Sequence, residues 1–155
     1  MNTVTSAPLE LPELPAPDAI SRADLVFYGV DHSGPSYEGR VFLNNTNANA
    51  DTELELHAGY AGSFDVFGHG GCFGDEGHCL PDQRFIDEFD VRAPHPLRPL
   101  TLTVIATDAI RSALADSSVS EVTVTVVAVV PAGDYPRARR DPLKFDYVRL
   151  LTYED

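Results

Sequence analysis

The segment Leu100-Thr-Leu-Thr-Val-Ile-Ala-Thr107 alternates apolar and polar side chains with a period of two. A β-strand sends successive side chains to opposite faces, so Leu100, Leu102 and Val104 are predicted to line one buried face. The same period governs Val119 to Val130, with Val122, Val124 and Val126 on one side and Thr123 and Thr125 on the other. Near the end of that run polarity disappears (Val126-Val-Ala-Val-Val130), which predicts cover on both faces. Earlier, Asp24 to Val30 is rich in aromatic and branched residues, and Tyr37 to Leu43 alternates again. The turn cluster Asp31-His-Ser-Gly-Pro35 joins them. Further strands are predicted over Thr52 to His57, Tyr60 to Phe67, Arg84 to Val91 and Lys144 to Tyr153, with an Asn-rich loop at Asn44 to Asp51. Asp108 is predicted to cap one short helix, Ala109 to Ala115, which places Ile110 and Leu114 at i, i+4. Seven or eight short strands at a spacing of roughly 10–15 residues predict an all-β fold. The expected architecture is an antiparallel Greek-key β-sandwich, immunoglobulin- or cupredoxin-like, with one short helix.

A chain of 155 residues with 43 % apolar content is long enough for one domain with a proper core. Residues 1–22 carry Pro8, Pro12, Pro15 and Pro17 between leucines, and read as an extended strap or linker whose Leu9, Leu11 and Leu14 could lie along a sheet edge. Residues 23–155 form the sandwich domain. The net charge of −13 argues against nucleic acid or an anionic membrane as partner. No run approaches the ~20 apolar residues of a membrane span, and Met1 to Ser21 lacks the basic head and apolar stretch of a secretory signal. A cytoplasmic monomer is the expectation, and that compartment favours reduced thiols.

The chemistry concentrates in Phe67-Gly-His-Gly-Gly-Cys-Phe-Gly-Asp-Glu-Gly-His-Cys79. Both cysteines of the chain and two of its five histidines lie between His69 and Cys79, interleaved with glycines that let the backbone fold back on itself. Two thiolates and two imidazoles, from His69, Cys72, His78 and Cys79, are a donor set for copper as Cu(I), or for zinc. The spacing is not that of a standard zinc finger, and the competing readings are a Cys72–Cys79 disulfide closing a surface loop or two free thiols beside incidental histidines. Phe67 reads as core, and Phe73 as either core or a shield for the ion. Asp75 and Glu76 are hard donors and read as solvent-facing. His32 reads as a satisfied turn histidine and His95, between prolines, as exposed. His57 could join the cluster only if the sheet brings it near. Arg137, Arg139 and Arg140 form a small basic patch in a polar loop. Ser33 and Ser36 lack a nucleophile motif, and no Gly-rich phosphate loop is present.

The order of these pieces resembles the C-terminal β-domain that follows the dicopper domain in tyrosinases and polyphenol oxidases. Tyr37-Glu-Gly-Arg-Val-Phe-Leu-Asn44 comes first, then Tyr60-Ala-Gly-Ser-Phe64, the His-rich loop from His69, and Thr107-Asp-Ala-Ile-Arg-Ser-Ala-Leu114. Val122-Thr-Val-Thr-Val126, Pro131 and Tyr147-Val-Arg-Leu-Leu151 complete the series, so the resemblance spans residues 23–153. It implies a sandwich that covers the copper entrance of a type-3 oxidase, keeps it latent, and assists copper loading as an accessory or chaperone. It does not imply catalysis: the family's six copper ligands lie on a helical bundle, and this chain has five histidines with no helical His-x3-His pair. The departure from the plant pattern is the presence of Cys72 and Cys79, similar to copper-handling loops associated with fungal tyrosinases. A small mononuclear copper or zinc enzyme using the same loop is the alternative from another class.

Overall fold

In a computed structural model the chain is described over residues 2–13, 16–69, 97–116, 118–131 and 142–154. Its strands are β1 (Thr3–Thr5), β2 (Leu9–Glu10), β3 (Ile20–Val30), β4 (Tyr37–Leu43), β5 (Tyr60–Val66), β6 (Leu100–Ile105), β7 (Glu121–Val122), β8 (Val124–Val129) and β9 (Tyr147–Glu154). One α-helix, α1 (Thr107–Leu114), joins β6 to β7. All strand pairs are antiparallel, in a four-stranded sheet β1-β8-β4-β5, a three-stranded sheet β6-β3-β9 and a short β2-β7 ladder. The fold is the expected all-β sandwich with a short helix. No helix among the described residues is long and apolar enough to cross a membrane.

The core lies between the two larger sheets, filled by the inward parity of each strand: Leu25 and Phe27, Val41 and Leu43, Phe64 and Val66, Val124 and Val126. Phe27 packs on Phe64 of the opposite sheet at 5.0 Å between ring centroids and on Phe145 at 5.4 Å, so one aromatic cluster ties the layers together. The outer face of the four-stranded sheet is also covered. Phe42, Ala48 and Val127 form a second buried cluster with Tyr60 against it. The Asn-rich loop thus folds over β4 and β8, which accounts for the loss of polarity near Val127. The N-terminal strap does lie along sheet edges, with Val4 opposite Val126 and Leu9 opposite Val122. Leu11 is buried, and a short 3-10 turn, Pro17–Ala19, leads into Ile20, which is fully enclosed.

Several local expectations need correction. Thr52 to His57 is not a strand: it is a loop ending in a 3-10 turn, Leu56–Ala58, and Leu54 and Leu56 are exposed. Local bonds hold it, with the Asn45 side-chain amide donating to the Ala58 carbonyl and the Asn49 amide N–H donating to Thr52 Oγ1. The long strand over Val119 to Val130 is broken at Thr123, whose N–H donates to Asn44 Oδ1 while its carbonyl accepts from the Asn44 N–H. Asp108 is not the helix cap. The N-cap is Ala106, and the hydroxyl of Thr107 accepts a bond from the Ala23 N–H, docking the helix on β3. Asp108 then sits in the first turn, where a carboxylate complements the helix dipole. The last strand begins at Tyr147 and not at Lys144. The predicted strand Arg84 to Val91 lies outside the described residues.

Candidate functional site

The pairing of β4 with β5 decides which parts of the chain meet at the chemically rich end. Tyr37, the first residue of β4, is opposite Val66, the last of β5. The turn before β4 therefore lies against the segment after β5, which brings residues 31–36 beside Phe67, Gly68 and His69. The contacts are specific. The Gly68 N–H donates to Ser36 Oγ at 3.0 Å, and the His69 N–H donates to the His32 carbonyl at 2.8 Å. A Cβ on Gly68 would run into the main chain of Gly34 and Pro35, so only glycine permits this approach.

The chain's return path meets the same turn. Leu97 is buried, and the carbonyl of Arg98 accepts a 2.9 Å hydrogen bond from His32 Nε2. Residues 69 and 98, on either side of the segment that carries both cysteines, are thus both tied to His32. The imidazoles of His32 and His69 stand perpendicular, their centroids 4.9 Å apart.

Two further groups shape this end. The Asp31 N–H donates to the Lys144 carbonyl, and the Asp31 carboxylate accepts from the Ser33 N–H at 2.8 Å. Burial pushes that carboxyl up, but the Ser33 bonds, with Lys144 and His32 close by, outweigh it and hold the group below the usual carboxylate range. Tyr37 is buried beneath the turn, and its hydroxyl has no hydrogen-bond partner among the described residues. Burial, with the Asp31 charge adding to it, raises the phenol well above its ordinary value.

Of the predicted ligands, His69 is placed at this end of β5, half-buried. Cys72, His78 and Cys79, together with Phe73, His95 and the Arg137–Arg140 patch, lie outside the described residues. Among the described residues no group of three or more His, Cys, Asp and Glu side chains converges as a metal site. His57 does not join His69. It lies before β5 and His69 after it, and seven strand residues at about 3.3 Å each separate the two ends. His57 is instead exposed and paired with Glu53 at 2.9 Å. Phe67 is not core: it is 83 % exposed. The reason is parity, because it continues the outward series of Ser63 and Asp65 while Phe64 and Val66 point inward.

His32, expected as a satisfied turn histidine, does bond the Arg98 carbonyl, and it also meets His69. The signal that it meets His69 was the hairpin register: once Tyr37 is opposite Val66, the turn and the post-strand segment must touch.

The fold is similar to part of latent aurone synthase, a polyphenol oxidase. Against that enzyme from natural source, 13 % of residues are identical over 98 % of this chain, with a TM-score of 0.53. Against the recombinantly expressed latent enzyme the identity is 12 % over 99 % of this chain, with a TM-score of 0.55. In both cases the chain spans 24 % of the length of the enzyme. No protein-family model matches the sequence. No curated protein matches it either.

Proposed function

We propose that this chain is a monomeric accessory β-domain for a tyrosinase-like type-3 copper oxidase, acting through the segment Phe67 to Cys79 as a cover of the copper entrance and a handler of copper. The observation that carries this reading is the extent of the fold match. Nearly the whole chain superposes on a region making up about a quarter of a latent polyphenol oxidase, and the chain itself lacks the histidines of a dicopper centre.

Each half of the proposal has its own support. A cover must put a side chain into a substrate path, and Phe67 is a large apolar residue held out from the end of β5. A copper handler needs soft donors, and Cys72, Cys79, His69 and His78 are the residues that would hold a cuprous or zinc ion. The donor chemistry fits such an ion, and only His69 of the four is placed. The ion would be cargo or an adaptor to the partner. The protein's part is to present deprotonated thiols and neutral imidazoles at a fixed place. Metal binding needs deprotonated ligands, so affinity falls as pH drops.

The test is co-expression of a neighbouring tyrosinase-like oxidase with and without this chain, reading oxidase turnover and copper per polypeptide. Loss of a cover raises turnover, whereas loss of a copper handler leaves the oxidase metal-poor. If neither quantity changes for any such oxidase, the accessory reading fails.

A further inference from the structure

We infer that the outer edge of β8 is a strand-addition site. The N-terminal strap is its releasable occupant, and the same strap from a second copy of the chain is the partner it takes in exchange.

The edge itself is the first argument. Val124-Thr-Val-Val-Ala-Val129 contains no charge, proline or glycine, the composition of a segment that pairs readily with other extended chains. One side of it is bonded to β4. Along the other side β1 runs antiparallel, with Thr3 opposite Val127 and Thr5 opposite Thr125. The Ala128 N–H donates to the Asn2 carbonyl at 2.7 Å, and the Val124 N–H donates to Ser6 Oγ at 3.0 Å. The strap thus defines what fits this edge: an uncharged segment of Thr, Val and Ser in that register. A second copy carries the same segment, and its docking needs no contact that the single chain does not already make.

The second argument is how lightly the strap is held. Among the described residues before Pro17, only Leu11 is buried, while Val4 and Leu9 are half-buried and Thr5 is exposed. Most of the hold is therefore main-chain bonding at a solvent edge, which opens at low free-energy cost. The β2–β7 ladder adds a repulsion, because Glu10 lies directly opposite Glu121. The tether to Ile20 carries Pro12, Pro15 and Pro17, and proline favours extended backbone, so a released strap reaches outward. Mutual exchange joins two copies through two identical strap–edge contacts, a closed two-fold dimer. The closed strap is the monomeric form.

The experiment takes three readings on the full chain. The first is hydrogen exchange of the parent. Successive N–H groups of a strand point to opposite neighbours, so the Val124 and Ala128 amides report the strap and those of Thr125 and Val127 report β4. Exchange should be at least tenfold faster at Val124 and Ala128. Equal protection at all four sites means that the strap does not release, and the inference fails. The second reading uses Val4→Pro, which removes the N–H opposite Val126, titrated with a synthetic peptide of residues 1–13. Saturable binding is expected, at least tenfold tighter than for the same peptide carrying V4P. A folded variant that takes neither peptide, or both equally, overturns the site. Should V4P not fold, the other readings on the parent still decide. The third reading is size-exclusion chromatography after incubation at high concentration just below the unfolding transition. The parent should yield a dimer that V4P does not form, and Glu10→Lys, which turns the repulsion into attraction, should slow its formation about two- to fivefold. A parent that stays monomeric, or a V4P variant that dimerises equally, overturns the second copy as occupant.

Discussion

The two ends of β5 carry a histidine, a tight glycine and an exposed apolar side chain each, yet they are built for different ends. Before the strand, Leu56, His57 and Gly59 close the Asn-rich loop. His57 is satisfied by Glu53, four residues away in the same loop, and Gly59, at φ +85°, approaches the Leu43 carbonyl. The hydrogen bonds of residues 53–59 run only to residues 43–60, and the Asn-rich loop covers Val127 and Phe42. After the strand, Phe67, Gly68 and His69 are held by residues more than thirty positions away, Ser36 and His32, and the chain returns to the same turn at Arg98. A histidine partnered inside its own loop is used up. His69 instead stands edge-on to His32, placed there by contacts distant in sequence. Composition cannot separate the two cases, but strand register can.

The largest expected effects come from the glycines. Gly68→Ala drives a Cβ into the Gly34–Pro35 main chain and should cost about 2–4 kcal/mol in thermal or denaturant unfolding. Gly59→Ala, strained in dihedral and pressed on the Leu43 carbonyl, should cost a similar ~1–3 kcal/mol. The ends should differ in a second readout: G68A loses Cu(I) affinity because His69 moves, and G59A does not. Equal loss of Cu(I) affinity in both would erase the distinction.

Next come the histidines themselves. His69→Ala should weaken Cu(I) binding at least tenfold with a modest change in stability. His57→Ala should leave Cu(I) binding unchanged and alter stability by no more than about 0.5 kcal/mol, as for an exposed ion pair.

A smaller effect lies beneath the turn. The raised ionisation of Tyr37 means that the folded state keeps its phenol proton where the unfolded chain has lost it. Stability from this group is therefore complete below about pH 10 and declines as pH rises beyond it. Tyr37→Phe should flatten that alkaline decline. At neutral pH it should be neutral or stabilising by up to about 1 kcal/mol, because the lost hydroxyl has no hydrogen-bond partner among the described residues. Unfolding followed from pH 7 to 11 in both proteins decides it.

Much of the fold was legible because period-two runs survive packing. Leu100 to Ile105, Tyr37 to Leu43 and Val124 to Val129 became strands with the expected faces inward. What misled was alternation without long-range partners. Leu54 and Leu56 alternate with Glu53 and Glu55, but side-chain bonds from Asn45 and Thr52 offer the backbone a local alternative to a ladder. Phe67 was misread by residue type, and its position in the β5 alternation gives the correct answer. Asp108 looked like a cap, but Ala106 holds that position and Thr107 ties the helix start to β3. At the site, the donor types were visible in sequence while the meeting of His69 with His32 was not. That proximity comes from antiparallel pairing between segments separated by the whole of β4 and the Asn-rich loop.

The central claim is that the His69 end of β5 is the working end, facing a copper oxidase. Its most direct test compares two exposed apolar residues at opposite ends of the strand, Phe67→Ser and Leu56→Ser, each co-expressed with the oxidase and assayed for oxidase turnover at matched copper content. The account predicts that F67S raises turnover toward that of the oxidase expressed alone, while L56S stays at the level of the parent pair. Equal turnover in F67S, L56S and the parent, or relief by L56S alone, would contradict it.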